Sequence, residues 1–150
     1  MLPDWARRFW QASTDHRGVP GAPGRVVTLV PEVGAVCEGV AFRLDNNIAE
    51  ILDYLDHRER GGYQRHYLDV ELFIDPDHPG ELVNALVYVA DQNNALFTGE
   101  TELETLVGTI NRAVGPSGSN RDYLLELADA LALEGIEDGH VSEIAGQLSC

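Results

Sequence analysis

The sequence predicts an α+β fold with a largely antiparallel sheet. Two observations carry this. Short β-rich runs and helical patterns follow one another as strands, helix, strands, helices, without the strict strand–helix alternation of a doubly wound fold. The apolar period also switches between two and about 3.6: Leu68, Val70, Leu72 and Ile74 alternate with Tyr67, Asp69, Glu71 and Phe73, whereas Ile48, Ile51, Leu52 and Leu55 follow helical spacing. The 150 residues suit a single domain, 1–150, with a C-terminal tail from about 134 to 150.

Taken in order, Ser13 to Gly24 is rich in Gly and Pro and reads as a long loop. Arg25–Val30 is a short β-branched strand, and Ala35–Leu44 follows as a second one across the hairpin-like connection Pro31-Glu32-Val33-Gly34. Asn46 or Asn47 can cap the first helix, which Gly61-Gly62 terminates. Tyr67–Ile74 is a half-buried strand. Val83–Ala90 is a nearly continuous apolar run, as in a central strand. Thr101 and Glu104 form a capping box for a helix carrying Leu103, Leu106, Val107 and Ile110. A third helix opens near Ser119-Asn120 and carries Leu124, Leu127, Ala128 and Leu131, and a short fourth spans Val141–Leu148.

Composition excludes several functions. Twenty-five acidic against ten basic residues give a formal charge of −15, which opposes binding to nucleic acid and to anionic membranes. No stretch approaches the ~20 apolar residues of a membrane span, and the N-terminus has no apolar signal core, so the cytoplasm is the expected compartment. Two cysteines, Cys37 and Cys150, make no disulfide framework. The five histidines show no metal-ligand spacing, so no metal site is expected. Cys37 has no histidine in its segment and reads as core packing. Asp75 to Gly80 is too short for a calcium loop and reads as a turn. Gly115 to Asn120 precedes a helix without a P-loop lysine and reads as a capping loop rather than an anion site.

One residue breaks its pattern. The helical stripe 48, 51, 52, 55 continues in phase at position 59, which holds Glu59. A carboxyl group on a core-facing stripe, at a helix C-terminus, suits general acid/base work. A solvated charge cluster with Arg58 and Arg60 is the competing reading.

Four segments resemble the ChaC family of γ-glutamylcyclotransferases. They are Arg7-Arg8-Phe9-Trp10-Gln11-Ala12-Ser13-Thr14-Asp15-His16-Arg17-Gly18; Pro20 and Pro23 with Gly24-Arg25-Val26-Val27-Thr28-Leu29-Val30; Tyr54-Leu55-Asp56-His57-Arg58-Glu59-Arg60-Gly61-Gly62-Tyr63; and Gly115-Pro116-Ser117-Gly118-Ser119-Asn120-Arg121-Asp122-Tyr123-Leu124. The resemblance runs from Arg7 to about Leu133. It implies a small, closed or nearly closed β-barrel with surrounding helices, and glutathione as substrate with 5-oxoproline and cysteinylglycine as products. It implies no cofactor and no metal. It places the catalytic acid/base on Glu59 and a substrate-facing tyrosine on Tyr123; Arg58, Gly61 and Gly62 are further substrate-binding candidates. Asp15-His16-Arg17 is a candidate contact for the cysteinylglycine end.

The chain departs from the family at its start. The family opens with a strand and a Tyr-Gly-Ser-Leu turn that holds the γ-glutamyl group, and no such motif occurs here. The barrel is therefore expected to lack its first strand. The alternative function is a catalytically inactive, truncated form acting as an acidic protein-interaction domain.

Overall fold

The computed structural model describes residues 1–44, 47–73 and 80–148. Two long antiparallel hairpins form its frame. β1 (Leu2–Ser13) pairs with β2 (Gly24–Cys37), and β3 (Gln64–Leu72) pairs with β4 (Glu81–Val89). The hairpins meet at two places. The Glu71 N–H donates to Met1 O at 2.8 Å, and the buried Thr28 hydroxyl exchanges hydrogen bonds with the backbone of Ala90, at 2.9 and 3.0 Å. The segment after β4 runs beside β1: Ala12 N donates to Leu96 O and Thr98 N to Trp10 O. The antiparallel α+β expectation holds. β4 is one strand of a hairpin, and its residues become fully buried only at Val89 and the following Ala90, so its apolar run marks burial at one end rather than a central place.

Helix α1 (Ile48–Arg58) connects the hairpins, and α2 (Leu103–Arg112), α3 (Asn120–Leu133) and α4 (Gly139–Leu148) follow. The short strands β5 (Val114–Gly115) and β6 (Gly118–Ser119) form a tight hairpin before α3. Ser119 caps α3, its hydroxyl accepting from Asp122 N at 2.9 Å.

Three expectations change. Residues Leu2–Ser13, read without an element, form a twelve-residue strand, because pairing with β2 satisfies a backbone whose local pattern is not decisive. The proposed hairpin at Pro31–Gly34 does not reverse the chain. Pro3 faces Val36 and Trp5 faces Pro31, so residues 32–35 are extra residues within β2. Gly34 there has φ +84°, and its N–H donates to Asp4 Oδ1 at 2.8 Å. The turn chemistry is real but makes an irregularity in a strand that ends at Cys37, with 38–44 outside regular structure. The capping box also fails: α2 starts with Glu102 at its N-cap, and Thr101 Oγ1 contacts Gly99 O at 3.4 Å. Asn47 occupies the α1 cap with φ 67° and makes no side-chain cap bond. Asn46, Ile74, the Asp75–Pro79 part of the expected turn, His78 and Cys150 lie outside the described residues.

The main core is helical. Leu106 and Ile110 of α2, Leu124 and Leu131 of α3, and Val141, Ile144 and Leu148 of α4 close around Phe9 of β1. The expected tail thus carries α4 into the core. Arg7 joins this layer to the sheet through Asp138, at 2.6 Å. The Phe9 N–H donates to His140 Nε2 at 3.1 Å, so that nitrogen carries no proton.

Replacing Ile144 by Ala should lower stability by about 2–5 kcal/mol in urea denaturation, which identifies α4 as part of the cooperative unit. His140 is held below its ordinary pKa, first by burial and then by Arg8. Its contribution to stability is present above the unfolded value of about 6.5 and is lost as pH falls. A His140→Gln variant, which retains an acceptor, should show a shallower loss of melting temperature between about pH 6.5 and 5.

Candidate active site

The residues singled out in the sequence converge where the end of α1, the β1–β2 loop and the start of α3 meet strand β2. Glu59 is the C-cap of α1, its N–H donating to Leu55 O at 2.8 Å. α1 buries none of its side chains fully, so its apolar stripe is only half covered. Glu59 continues that stripe, with its side chain 26% exposed, whereas the neighbouring Arg58 is 62% exposed. Arg58 Nε lies 3.5 Å from Glu59 Oε1, so the carboxyl is half-buried and paired with a charge.

Two tyrosines lie close enough to feel the charge of this carboxyl, and they share one backbone anchor. Tyr63 donates its hydroxyl to Val27 O, and Val27 N–H donates to the Tyr123 hydroxyl at 3.5 Å. Burial pushes the Tyr63 phenol up, reinforced by Tyr123, Glu59 and Asp15. Burial also pushes Tyr123 up, against the Val27 hydrogen bond and the Arg17 charge, with Glu59 adding to the rise. Both phenols are therefore neutral at ordinary pH. Because Tyr123 accepts from Val27, its own proton is available to an acceptor in the site. Phe9 fixes the ring of Tyr123 from the core side, edge to face, at 6.0 Å.

The Gly/Pro loop supplies charge. The Arg17 guanidinium sits over the Tyr123 ring, 5.2 Å from its centre. The loop is held in place: Arg17 N donates to Ser13 Oγ at 3.0 Å, Ser117 N donates to His16 O at 3.0 Å, and His16 Nδ1 lies 3.0 Å from Ser117 Oγ. The capping loop thus also braces the β1–β2 loop. Gly115 permits this, because a Cβ there would lie 2.2 Å from His16 O. Below α3, the buried Asn120 brackets Arg25 with two hydrogen bonds, at 2.5 and 2.7 Å.

Gly61 and Gly62 follow Glu59 by two and three residues. Gly61 O accepts from Gln11 Nε2 at 2.7 Å, and a Cβ on Gly61 would come within 3.9 Å of Asp15 Oδ2. Gly62 has φ +96°, and a Cβ there would lie 2.7 Å from Asn94 Oδ1. Sequence reading gave no role to Tyr63, Gln11 or Asn94. Tyr63 lay inside a quoted segment, but its partner Val27 is 36 positions away. Cys37 is half-buried, and burial pushes its thiol up; it stands outside this group.

Comparison with known proteins places the chain. A family model described as "ChaC-like protein" matches residues 1–149. The chain belongs to the ChaC-like family. Among its relatives, γ-glutamylcyclotransferase 2-3 of Arabidopsis thaliana is 39% identical over 153 residues, covering 99% of this chain and 76% of the relative. The glutathione-specific γ-glutamylcyclotransferase of Saccharomyces cerevisiae is 33% identical, covering 88% of this chain and 75% of the relative. The human glutathione-specific γ-glutamylcyclotransferase 1 is 37% identical, covering 93% of this chain; the chain spans 64% of the human protein's length. A crystal structure of the yeast γ-glutamylcyclotransferase specific to glutathione superposes with a TM-score of 0.85 at 27% identity, covering 99% of this chain and 85% of that one. The ChaC-like fold accounts for the antiparallel frame and its helical cover.

Gly62→Ala should destabilise by about 1–3 kcal/mol, because positive φ and the Asn94 contact both resist a side chain. Gly61→Ala, with only ordinary contacts in prospect, should cost less; chemical denaturation of the two variants measures the difference.

Proposed function

We propose that this chain is a glutathione-specific γ-glutamylcyclotransferase, a carbon–nitrogen lyase that releases 5-oxoproline and cysteinylglycine, with Glu59 as its acid/base. The observation that carries the reading is the half-buried Glu59 carboxyl, whose charge acts on two neutral tyrosines anchored on Val27. The names of the ChaC-like relatives support the substrate.

The chemistry asks little of the protein beyond geometry and proton transfer. The substrate's α-amine attacks its own γ-carbonyl carbon. A nitrogen–carbon bond forms and closes a five-membered lactam, while the bond from that carbon to the cysteine nitrogen breaks. On becoming the lactam N–H the α-ammonium loses two protons; Glu59 takes one before attack and one after it and passes each to the departing cysteine nitrogen, which leaves as an ammonium, so the carboxylate is regenerated. The nucleophile belongs to the substrate, and the reaction proceeds without an added electron or group donor. Folding the γ-glutamyl chain into attack geometry supplies much of the acceleration.

The side chains around Glu59 divide this work. Tyr123 offers its proton to a substrate oxygen near the reacting centre. Gly61 and Gly62 let the substrate approach the backbone beyond Glu59. Arg58, beside Glu59, and Arg17, over Tyr123, give local positive charge in a chain of net charge −15 and attract the carboxylates of the tripeptide. Among the described residues Arg17 has no carboxylate partner within ion-pair distance. We read residues 1–150 as one domain acting in the cytosol; among the described residues no helix is long and apolar enough to cross a membrane.

Release of 5-oxoproline from glutathione by this chain tests the reading. Glu59→Gln should keep the fold by circular dichroism and lower kcat by about 10²–10⁴-fold. A folded wild-type chain that releases no 5-oxoproline would overturn the enzymatic reading, and an active Gln variant would remove Glu59 from its role.

A further inference from the structure

Gln11 is a polar side chain with no exposed surface, and it lies outside the helical core. A buried amide of this kind requires partners. Its partners come from two distant places. Gln11 Nε2 donates to Gly61 O at 2.7 Å and to Asn94 Oδ1 at 3.2 Å, which uses both of its hydrogens. Gln11 Oε1 accepts from Asn94 Nδ2 at 3.2 Å, so the two amides face each other reciprocally.

Asn94 is itself immobilised. Its Nδ2 also donates to Asp91 O at 2.5 Å, and its Oδ1 accepts from Leu96 N at 2.8 Å. Its backbone closes the same turn, Asn94 N donating to Asp91 O and Phe97 N to Asn94 O. On its other side Asn94 lies against Gly62, where only the absence of a Cβ allows the approach. The chain is thus gripped at Gly61 by a hydrogen bond and at Gly62 by contact, two and three residues after Glu59.

We propose that Gln11 and Asn94 are positioning residues for the Glu59 carboxyl, an amide lock that fixes the backbone leaving α1. The inference rests on the acid/base reading of Glu59 given above. α1 cannot do this work itself, because it has no fully buried side chain. Its other polar tether, Asp56 to Arg65 and Tyr88, lies at the solvent surface three residues before Glu59. A satisfied buried amide network specifies one geometry more sharply than an apolar contact of the same size. β1 therefore extends the rigidity of the main sheet to a helix end that lacks its own.

The test compares Gln11→Met, which keeps the length of the side chain and removes its donors, with Asn94→Ala. Asp138→Ala serves as the control, since it removes the ion pair to Arg7 and the Val141 N–H acceptor, between β1 and the start of α4. Each is measured for melting temperature, kcat and KM on glutathione, and amide hydrogen exchange at residues 59–63. The lock predicts a fall in kcat of about 10- to 100-fold with KM changed less than about threefold, as for a misplaced reacting group. It also predicts exchange at 59–63 at least about tenfold faster, with α3 unaffected. Asp138→Ala should lower the melting temperature and leave kcat within about twofold. A folded Gln11→Met protein with unchanged exchange at 59–63, or with kcat within about twofold of wild type, overturns the proposal. So does a kcat loss that merely follows the melting temperature, as the control defines it. If Gln11→Met does not fold, Asn94→Ala, in a half-buried turn, decides by the same two readouts. If the wild-type chain releases no 5-oxoproline, the acid/base reading fails by itself, and the exchange at 59–63 alone decides whether the lock exists.

Discussion

Between Arg8 and Gln11 the pairing of β1 with β2 carries one extra residue, and the site depends on it. Arg8 faces Thr28 and Gln11 faces Val26, so Phe9 and Trp10 together stand opposite the single residue Val27. Bulges of this kind bend a strand and re-aim its side chains. Here Phe9 enters the helical layer and touches Tyr123, while Gln11 reaches Gly61 at the end of α1. Val27, opposite the bulge, has both its N–H and its C=O engaged by tyrosines rather than only by the ladder. A single local irregularity thus connects the core, the tyrosine pair and the glycines after Glu59.

Electrostatics gives the site a character opposite to that of the whole molecule. The surface is strongly acidic, which keeps anions away at long range and falls off within about 10 Å at ordinary ionic strength. Inside that distance Arg17 stacks on Tyr123 and Arg58 stands by Glu59. Burial keeps both tyrosines neutral, so they act as hydrogen-bonding groups and add no negative charge beside Glu59. In the proposed reaction this arrangement separates proton transfer, assigned to a carboxyl, from attraction, assigned to guanidinium groups.

Much of this was legible in the sequence, for identifiable reasons. Helices α1, α3 and α4 follow apolar spacing and Ser119 chemistry, both of which are local. The half-buried place of Glu59 at the end of α1 was legible because it continues a local apolar stripe. β1 was not, since its buried residues, Leu2, Ala6 and Phe9 and then Gln11, Ala12 and Ser13, do not alternate, and its stability comes from a partner more than ten residues away. The apparent hairpin at Pro31–Gly34 misled because turn residues describe a local bend and not whether the chain reverses; Asp4, supplying the cap, is thirty positions distant. Gln11 and Asn94 carried no signal for a related reason. Their meaning lies in contacts across fifty and eighty-three positions, and nothing within a short window distinguishes a locking glutamine from a surface one.

The thin attachment of α1 has a consequence for how the molecule meets heat. A helix that buries no side chain completely contributes little to the cooperative core, and such segments open at lower free energy than the global transition. The carboxyl group rides on that segment, while Phe9, α2, α3 and α4 hold the remainder together. Warming therefore loosens α1 before the helical core around Phe9 gives way.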